Sequence, residues 1–255
     1  MTVQELYRFF ENKFPRSLSC TWDQDGLCCA PDPSREVKRV LVALDATKDV
    51  VERAVSGEFD LLLTHHPLLF RGIQALVPVG TVPTKLVKLA LSGVSAMSFH
   101  TRLDAVSGGV NDILAEQLGI LDAKPFGPDG EIPCGRIGML NVPVDAADFA
   151  RHAKAVLGAP AVLLSGKGSV QKIAVCGGEG ADFLSAAKAE GADLFLAGRI
   201  GYHRMLDAPE EGILTVEAGH YATEFPVCRY LASLVLEAIP AAEVEICPTT
   251  AIHML

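Results

Sequence analysis

One pattern occurs twice in this chain and limits the available folds more than any other feature. In residues 38–66, KRVLVALD precedes a helix-compatible stretch and then FDLLLTHH; in residues 171–199, QKIAVCGG precedes another such stretch and then ADLFLAGR. Short apolar runs without polar alternation read as strands buried on both faces, the habit of parallel sheets. Strand, helix and strand in succession predict βαβ units with helices covering the sheet. Asp60 and Asp193 take matching places, and the likeness continues in GVSAMSFHTRLD (93–104) and GILTVEAGHYATE (212–224). Each of these gives a strand-like run and then a His, three residues and an acid. The expected fold is α/β, with two similar βαβ-containing lobes, mainly parallel or mixed sheets, and a metal site at the lobe junction.

The remaining rhythm fits that frame. An amphipathic helix is expected over 1–14, strands at 40–45, 60–64 and 94–99, and helices at 48–56, 84–91 and 109–119. The Pro- and Gly-rich DAKPFGPDGEIP (122–133) reads as a boundary between an N-terminal lobe, 1–125, and a C-terminal lobe, 126–255. A helix at 145–157, an extended piece at 161–164 and strand, glycine turn, helix and strand over 172–198 complete the second lobe.

Composition removes several function classes. With 49% hydrophobic and 21% charged residues in 255, the chain can bury a full core. A net charge of −9 and the absence of long basic runs oppose binding to a phosphate backbone, so a nucleic-acid-binding ring is disfavoured. No apolar stretch approaches the roughly 18 residues of a membrane span. The N-terminus lacks a basic segment and cleavage site, so no membrane partner and a cytoplasmic location are expected. Seven cysteines without a CxxC spacing suit neither a disulfide framework nor a thiolate zinc site. Metal ligands, where present, are then imidazoles and carboxylates.

His65 and His66 sit between the strand DLLLT and Pro67. Inside a strand they would face opposite ways, but Pro67 ends the ladder there, and both rings can protrude from the sheet's C-terminal edge. They read either as a solvated, hydrogen-bonded pair or as a ligand pair. His220 and Glu224 in GHYATE lie four apart at a helix start, on one face, as do His100 and Asp104. Such a pair is either a surface interaction or two ligands. Together His65, His66, Asp104, His220 and Glu224 offer nitrogen and oxygen donors suited to zinc, manganese, iron, cobalt or nickel. Were Glu224 to bridge two ions, the five would supply about six donor positions where two ions need roughly eight to twelve; water would fill the rest, as at catalytic sites.

The ordered set WDQDGL, LLLTHHPLLF, FHTRLD with GGVNDILAEQLG, VCGGEGADF and GHYATE resembles the YbgI-like dinuclear-metal-centre hexamer proteins, often named GTP cyclohydrolase I type 2 homologues. The resemblance covers nearly the whole chain. It implies two divalent metal ions per chain held by His65, His66, Asp104, His220 and Glu224, with Glu224 bridging, and a homohexamer whose metal sites face an internal cavity. Where the family commonly has Thr-Gly-acid this chain has Ala197, Gly198 and Arg199, so it departs at Ala197 and Arg199. It departs again at Gln24, where the family has Asn.

His100 and His203 are the candidate proton carriers, each also readable as an ordinary core, loop or surface residue. GGEG (177–180) reads as a tight turn more readily than as a phosphate cradle. His152 and His253 look like surface residues. The expected function is a divalent-metal-dependent hydrolase in which activated water attacks a small nucleotide-like substrate, the ring opening that the family name implies being one such reaction. The alternative is a non-enzymatic, metal-loaded oligomer with a binding or regulatory role.

Overall fold

The structure is a computed structural model that describes residues 1–252; His253 lies outside the described residues. In chain order it forms α1 (Val3–Lys13), β1 (Gly26–Cys29), β2 (Arg39–Ala43), α2 (Lys48–Ser56), β3 (Leu61–Thr64), α3 (Thr81–Leu91), β4 (Ser95–Ser98) and α4 (Thr101–Ala105). Then come α5 (Val110–Gln117), β5 (Leu121–Phe126), β6 (Gly135–Asp145), α6 (Ala146–Leu157), β7 (Leu163–Ser165), β8 (Ser169–Glu179) and α7 (Leu184–Ala189). The chain ends with β9 (Leu194–Arg199), α8 (Tyr202–Asp207), β10 (Leu214–Glu217), α9 (His220–Glu224), α10 (Val227–Ala238) and β11 (Glu243–Cys247). No helix among the described residues is long and apolar enough to cross a membrane.

These elements form two compact units, one of Met1–Leu103 with the chain from Val227 onward, the other of Asp104–Pro226. The division therefore differs from one at 125/126. Residues after Val227 belong with the N-terminal elements because β11 pairs in parallel with β2 along its whole length, from Glu243 opposite Arg39 to Cys247 opposite Ala43. The Pro- and Gly-rich segment is no boundary either. Its first half is β5, antiparallel to β6 with Pro125 opposite Arg136, and its second half is the hairpin loop. Proline, which cannot donate to a ladder, is tolerated there because β5 is an edge strand.

In the first unit the strand order is β1-β4-β3-β2-β11, with β1 antiparallel to β4 and the others parallel. Leu41, Val50, Ala54, Phe59, Leu62 and Leu89 pack together where α2 and α3 cover one face. Thr2 starts α1 with a capping box to Glu5. In the second unit the order is β5-β6-β8-β9-β10-β7, with β8, β9 and β10 parallel. Period-two alternation splits its strands between two cores: Ile173, Val175, Leu194 and Leu196 face one, while Ala174, Cys176, Phe195 and Ala197 face the other. The sheets are mixed α/β structures of the expected class.

The internal repeat extends to hydrogen bonds. Asp60 Oδ2 accepts the backbone N–H of Lys38 and of Arg39, each at 2.9 Å, fixing where β2 starts beside β3. Asp193 Oδ2 does the same for Gln171 and Lys172 at 2.8 Å, fixing β8 beside β9. Asp60 is buried and also meets Arg35 at 2.7 Å; Asp193 is exposed. Leaving a buried donor without an acceptor costs about 1–3 kcal/mol, whereas an exposed amide can turn to water. Asp60→Ala is thus expected to lower unfolding free energy by about 2 kcal/mol or more, and Asp193→Ala by about 1 kcal/mol or less, read as shifts of the urea midpoint by circular dichroism.

Candidate metal centre

In the first unit the parallel strands β3 and β4 deliver three histidines. His65 and His66 follow β3 directly, and His100 lies between β4 and α4. One ligand nitrogen from each falls within 4.8 Å of the others, and the rings of His65 and His66 stand 5.3 and 5.5 Å from that of His100. His65 is fully buried. The adjacent pair sits just past β3, where His66 N–H continues the β2–β3 register by bonding Leu44 O at 3.0 Å and Thr64 Oγ1 donates to His66 O at 2.8 Å.

Each ring is held at the same nitrogen. His65 Nδ1 lies 2.9 Å from Phe99 O, His66 Nδ1 2.7 Å from Asp45 Oδ1, and His100 Nδ1 3.2 Å from Asp23 Oδ1. A carbonyl or carboxylate oxygen only accepts, so Nδ1–H donates and the lone pair of each neutral ring resides on Nε2. Carbonyl and carboxylate partners of this kind orient metal-binding imidazoles and raise their basicity.

The WDQDGL segment builds the support. Asp23 Oδ2 accepts the N–H and the Oγ1–H of Thr101 at 3.0 and 2.6 Å, and Asp25 Oδ2 accepts His100 N–H at 2.9 Å. Burial opposes the Asp23 charge, but hydrogen bonds from His100 and Thr101 outweigh it and hold the carboxyl well below the usual carboxylate range. Asp25 also pairs at 2.9 Å with Arg102, both side chains being fully buried. Gln24 is exposed, and none of these bonds uses its side chain, so its exchange for Asn leaves them intact. Asp23 and Asp45 escaped sequence reasoning as site residues. Their signal was an acid at the end of a strand and another in a turn, too common to single out.

In the second unit Asp104, within α4, and His220 and Glu224, the first and last residues of α9, supply the other donors. His220 Nε2 lies 3.0 Å from Glu224 Oε2, and oxygens of Asp104 and Glu224 approach within 4.8 Å. Glu224 is buried and His220 about half exposed. The GGEG segment forms their floor. A Cβ on Gly178 would overlap Glu224 Oε1 and come within 3.1 Å of His220 Nε2, so only glycine leaves that space open.

Two further polar residues hold this floor. Gly177 N–H donates to Asn111 Oδ1 at 2.7 Å, Asn111 Nδ2 donates to Asp104 O at 3.3 Å, and Gly178 N–H donates to Thr223 Oγ1 at 3.1 Å. Gly180 N–H is taken by Arg199 O at 2.9 Å. These three amides are committed within the chain; GGEG is not the tight turn expected from the sequence, because Gly177, Gly178 and Glu179 form the end of β8, where the register against β9 shifts between Cys176 and Glu179. Asn111 and Thr223 were also missed; each is about 1% exposed in an otherwise ordinary helical pattern.

The departures at Ala197 and Arg199, and the retained Gly198 between them, have local explanations. Ala197 fills the core beneath β9, Gly198 admits no side chain because its Cβ would lie 2.6 Å from Gly178 O, and Arg199 extends outward with its Nε 3.8 Å from Glu179. His203 sits exposed on α8 with its ring 5.3 Å from that of Tyr202, and no metal-competent group among the described residues includes it. His152 is exposed on α6. No metal-competent group among the described residues includes a cysteine; burial pushes the Cys28 thiol up to about 12 and Cys176 well above its ordinary value, Asp104 reinforcing the latter.

The donor set fits borderline divalent cations, which take imidazole nitrogen and carboxylate oxygen together. The chain is similar to known proteins along nearly its whole length. Residues 1–253 match the family described as Duf34/NIF3 (NGG1p interacting factor 3). A Clostridium perfringens protein named GTP cyclohydrolase 1 type 2 homolog is 32% identical over 246 residues, covering 94% of this chain and 93% of that one. The solved structure of ybgI, a protein of unknown function, superposes with a TM-score of 0.84 at 26% identity, over 97% of this chain and 98% of that one. A Bacillus cereus protein related to NIF3 shares the fold, with a TM-score of 0.89 at 21% identity over 100% and 99% of the two chains.

Gly178→Ala tests the floor. Its Cβ displaces Glu224, so divalent-ion affinity measured by calorimetry is expected to fall on the order of tenfold to a hundredfold, the scale for disturbed metal-site geometry, with little change in far-ultraviolet circular dichroism.

Proposed function

This chain belongs to the Duf34/NIF3 family, and from that premise we propose that His65, His66, Asp104, His220 and Glu224 bind two divalent cations and that the resulting centre hydrolyses a small nucleotide-like substrate. The observation that carries the reading is the common orientation of the imidazoles, each donating from Nδ1 to an oxygen acceptor and keeping its lone pair at Nε2. A surface histidine has no need of such support. The relatives named as GTP cyclohydrolase 1 type 2 homologues bring a purine nucleotide into the substrate class.

Divalent cations held there would supply Lewis acidity toward a substrate heteroatom and a water that is acidic near neutral pH. The protein's own groups have separable tasks. His65 and His66 would hold a cation through Nε2, and the buried Glu224, with Asp104 as a second carboxylate, would balance its charge. His100, its Nδ1 committed to Asp23, takes up and returns a proton at Nε2. That role falls to His100 rather than His203, whose ring packs on Tyr202 at the surface. We propose further that the protein works in the cytoplasm as a homohexamer.

Removing metal chemistry forfeits several kcal/mol of barrier lowering, on the order of a hundredfold or more in rate. Metal-replete protein incubated with GTP and a broad nucleotide panel should release product at least about a hundredfold faster than the His65→Ala, Glu224→Ala double variant. Equal rates for the two proteins across the panel, with ions retained by the parent, would instead identify a non-enzymatic metal-loaded protein.

A further inference from the structure

Two large aromatic side chains of the first unit stand in solvent beside the three imidazoles. Trp22 is 56% and Phe70 49% exposed. Their ring centroids lie 5.8 Å apart, and 6.0 and 6.1 Å from that of His100. A run of neighbouring rings thus leads outward from the buried His65 through His66 and His100 to the exposed Phe70 and Trp22. Trp22 precedes Asp23, whose carboxylate is fixed by Thr101 and His100, so the start of this surface is anchored although its ring is open. Contiguous exposed rings at a site rim usually serve binding.

Phe70 also lines a cavity of about 420 Å³ together with Asp45, His66 and Lys85, a size ordinary for small-molecule sites. Lys85 is the cation among the described lining residues. Its Nζ donates to Ala46 O at 2.5 Å, and an ammonium has two further hydrogens to offer. Trp22 and Phe70 are inclined at 52° to each other, so a planar ring can stack on one and meet the other at its edge; with the ammonium nearby, the matching ligand chemistry is a planar ring with an anionic arm.

We propose that Trp22 and Phe70 are the stacking platform for the heteroaromatic ring of a small anionic ligand, with Lys85 meeting its anionic arm. The inference deepens the nucleotide reading above and rests on it for any reaction of the bound ligand, but the stacking itself requires no reaction.

Trp22 is the single tryptophan, so its emission reports the platform directly. Full-length protein, as metal-replete and chelator-treated samples, is titrated with GMP, AMP and CMP, and with ribose 5-phosphate as a ring-free control. At least one nucleotide should quench the emission saturably and ribose 5-phosphate should not. By calorimetry Trp22→Ala should bind that nucleotide about fivefold more weakly or worse, the lower end of base–aromatic stacking, while Trp22→Phe should retain most of the affinity. Lys85→Ala should weaken the nucleotide but not the corresponding nucleoside. No ring-dependent quenching across the set, or undiminished affinity in Trp22→Ala, overturns the proposal. A change in solution mass for Trp22→Ala also overturns it and makes the two rings an interface between copies. Metal content measured on the same samples separates the two readings: stacking without bound metal sinks only the metal reading, and bound metal without stacking sinks only this one.

Discussion

A neutral imidazole can donate from one nitrogen and receive a cation at the other, and in this fold the choice is made at Nδ1. Phe99 O, Asp45 and Asp23 each take a hydrogen from one histidine, which turns three side chains of ordinary sequence context into oriented donors. Phe99 and the segment that carries Asp23 are themselves secured. Arg102 lies over the Phe99 ring, 4.8 Å from its centroid, and pairs with Asp25 at 2.9 Å and with Glu11 at 2.6 Å. Buried ion pairs contribute little net stability but are costly to break, so their effect is to fix one arrangement. A disturbance at Arg102 would therefore reach His65 through Phe99 and His100 through Asp25.

The second unit solves a related problem with backbone. Its carboxylates need room as well as orientation, and the room comes from Gly178, whose φ of 64° and missing Cβ no other residue reproduces without strain. Asn111 and Thr223 then consume the amides of Gly177 and Gly178, which ties down this irregular end of β8. Side-chain acceptors in one unit and glycine geometry in the other both hold candidate ligands at strand C-termini, where α/β proteins carry their sites.

Much of this was legible in the residues themselves. Apolar runs such as VLVALD and DLLLT announced parallel strands, the paired Asp60 and Asp193 announced a repeat that recurs in their hydrogen bonds, and the spacing of His220 and Glu224 anticipated one face of α9. What stayed hidden is long-range pairing. Nothing local in EVEIC says that it returns to β2, and Pro125 pointed to a linker because edge strands and loops tolerate proline alike. Asp23, Asp45, Asn111 and Thr223 were invisible for a similar reason: a short polar residue acquires its role only from the backbone group that the fold brings opposite it. Trp22 was read with its motif, and only its exposure beside Phe70 gave it a task of its own.

Anomalous diffraction from crystals of the protein loaded with cobalt or zinc decides whether the oriented rings are ligands. Ion peaks are expected about 2.0–2.1 Å from Nε2 of His65 and of His66, with their Nδ1 atoms still turned to Phe99 O and Asp45. Peaks on Nδ1 or on a cysteine sulfur, or no peak within bonding reach of either ring, would contradict that assignment.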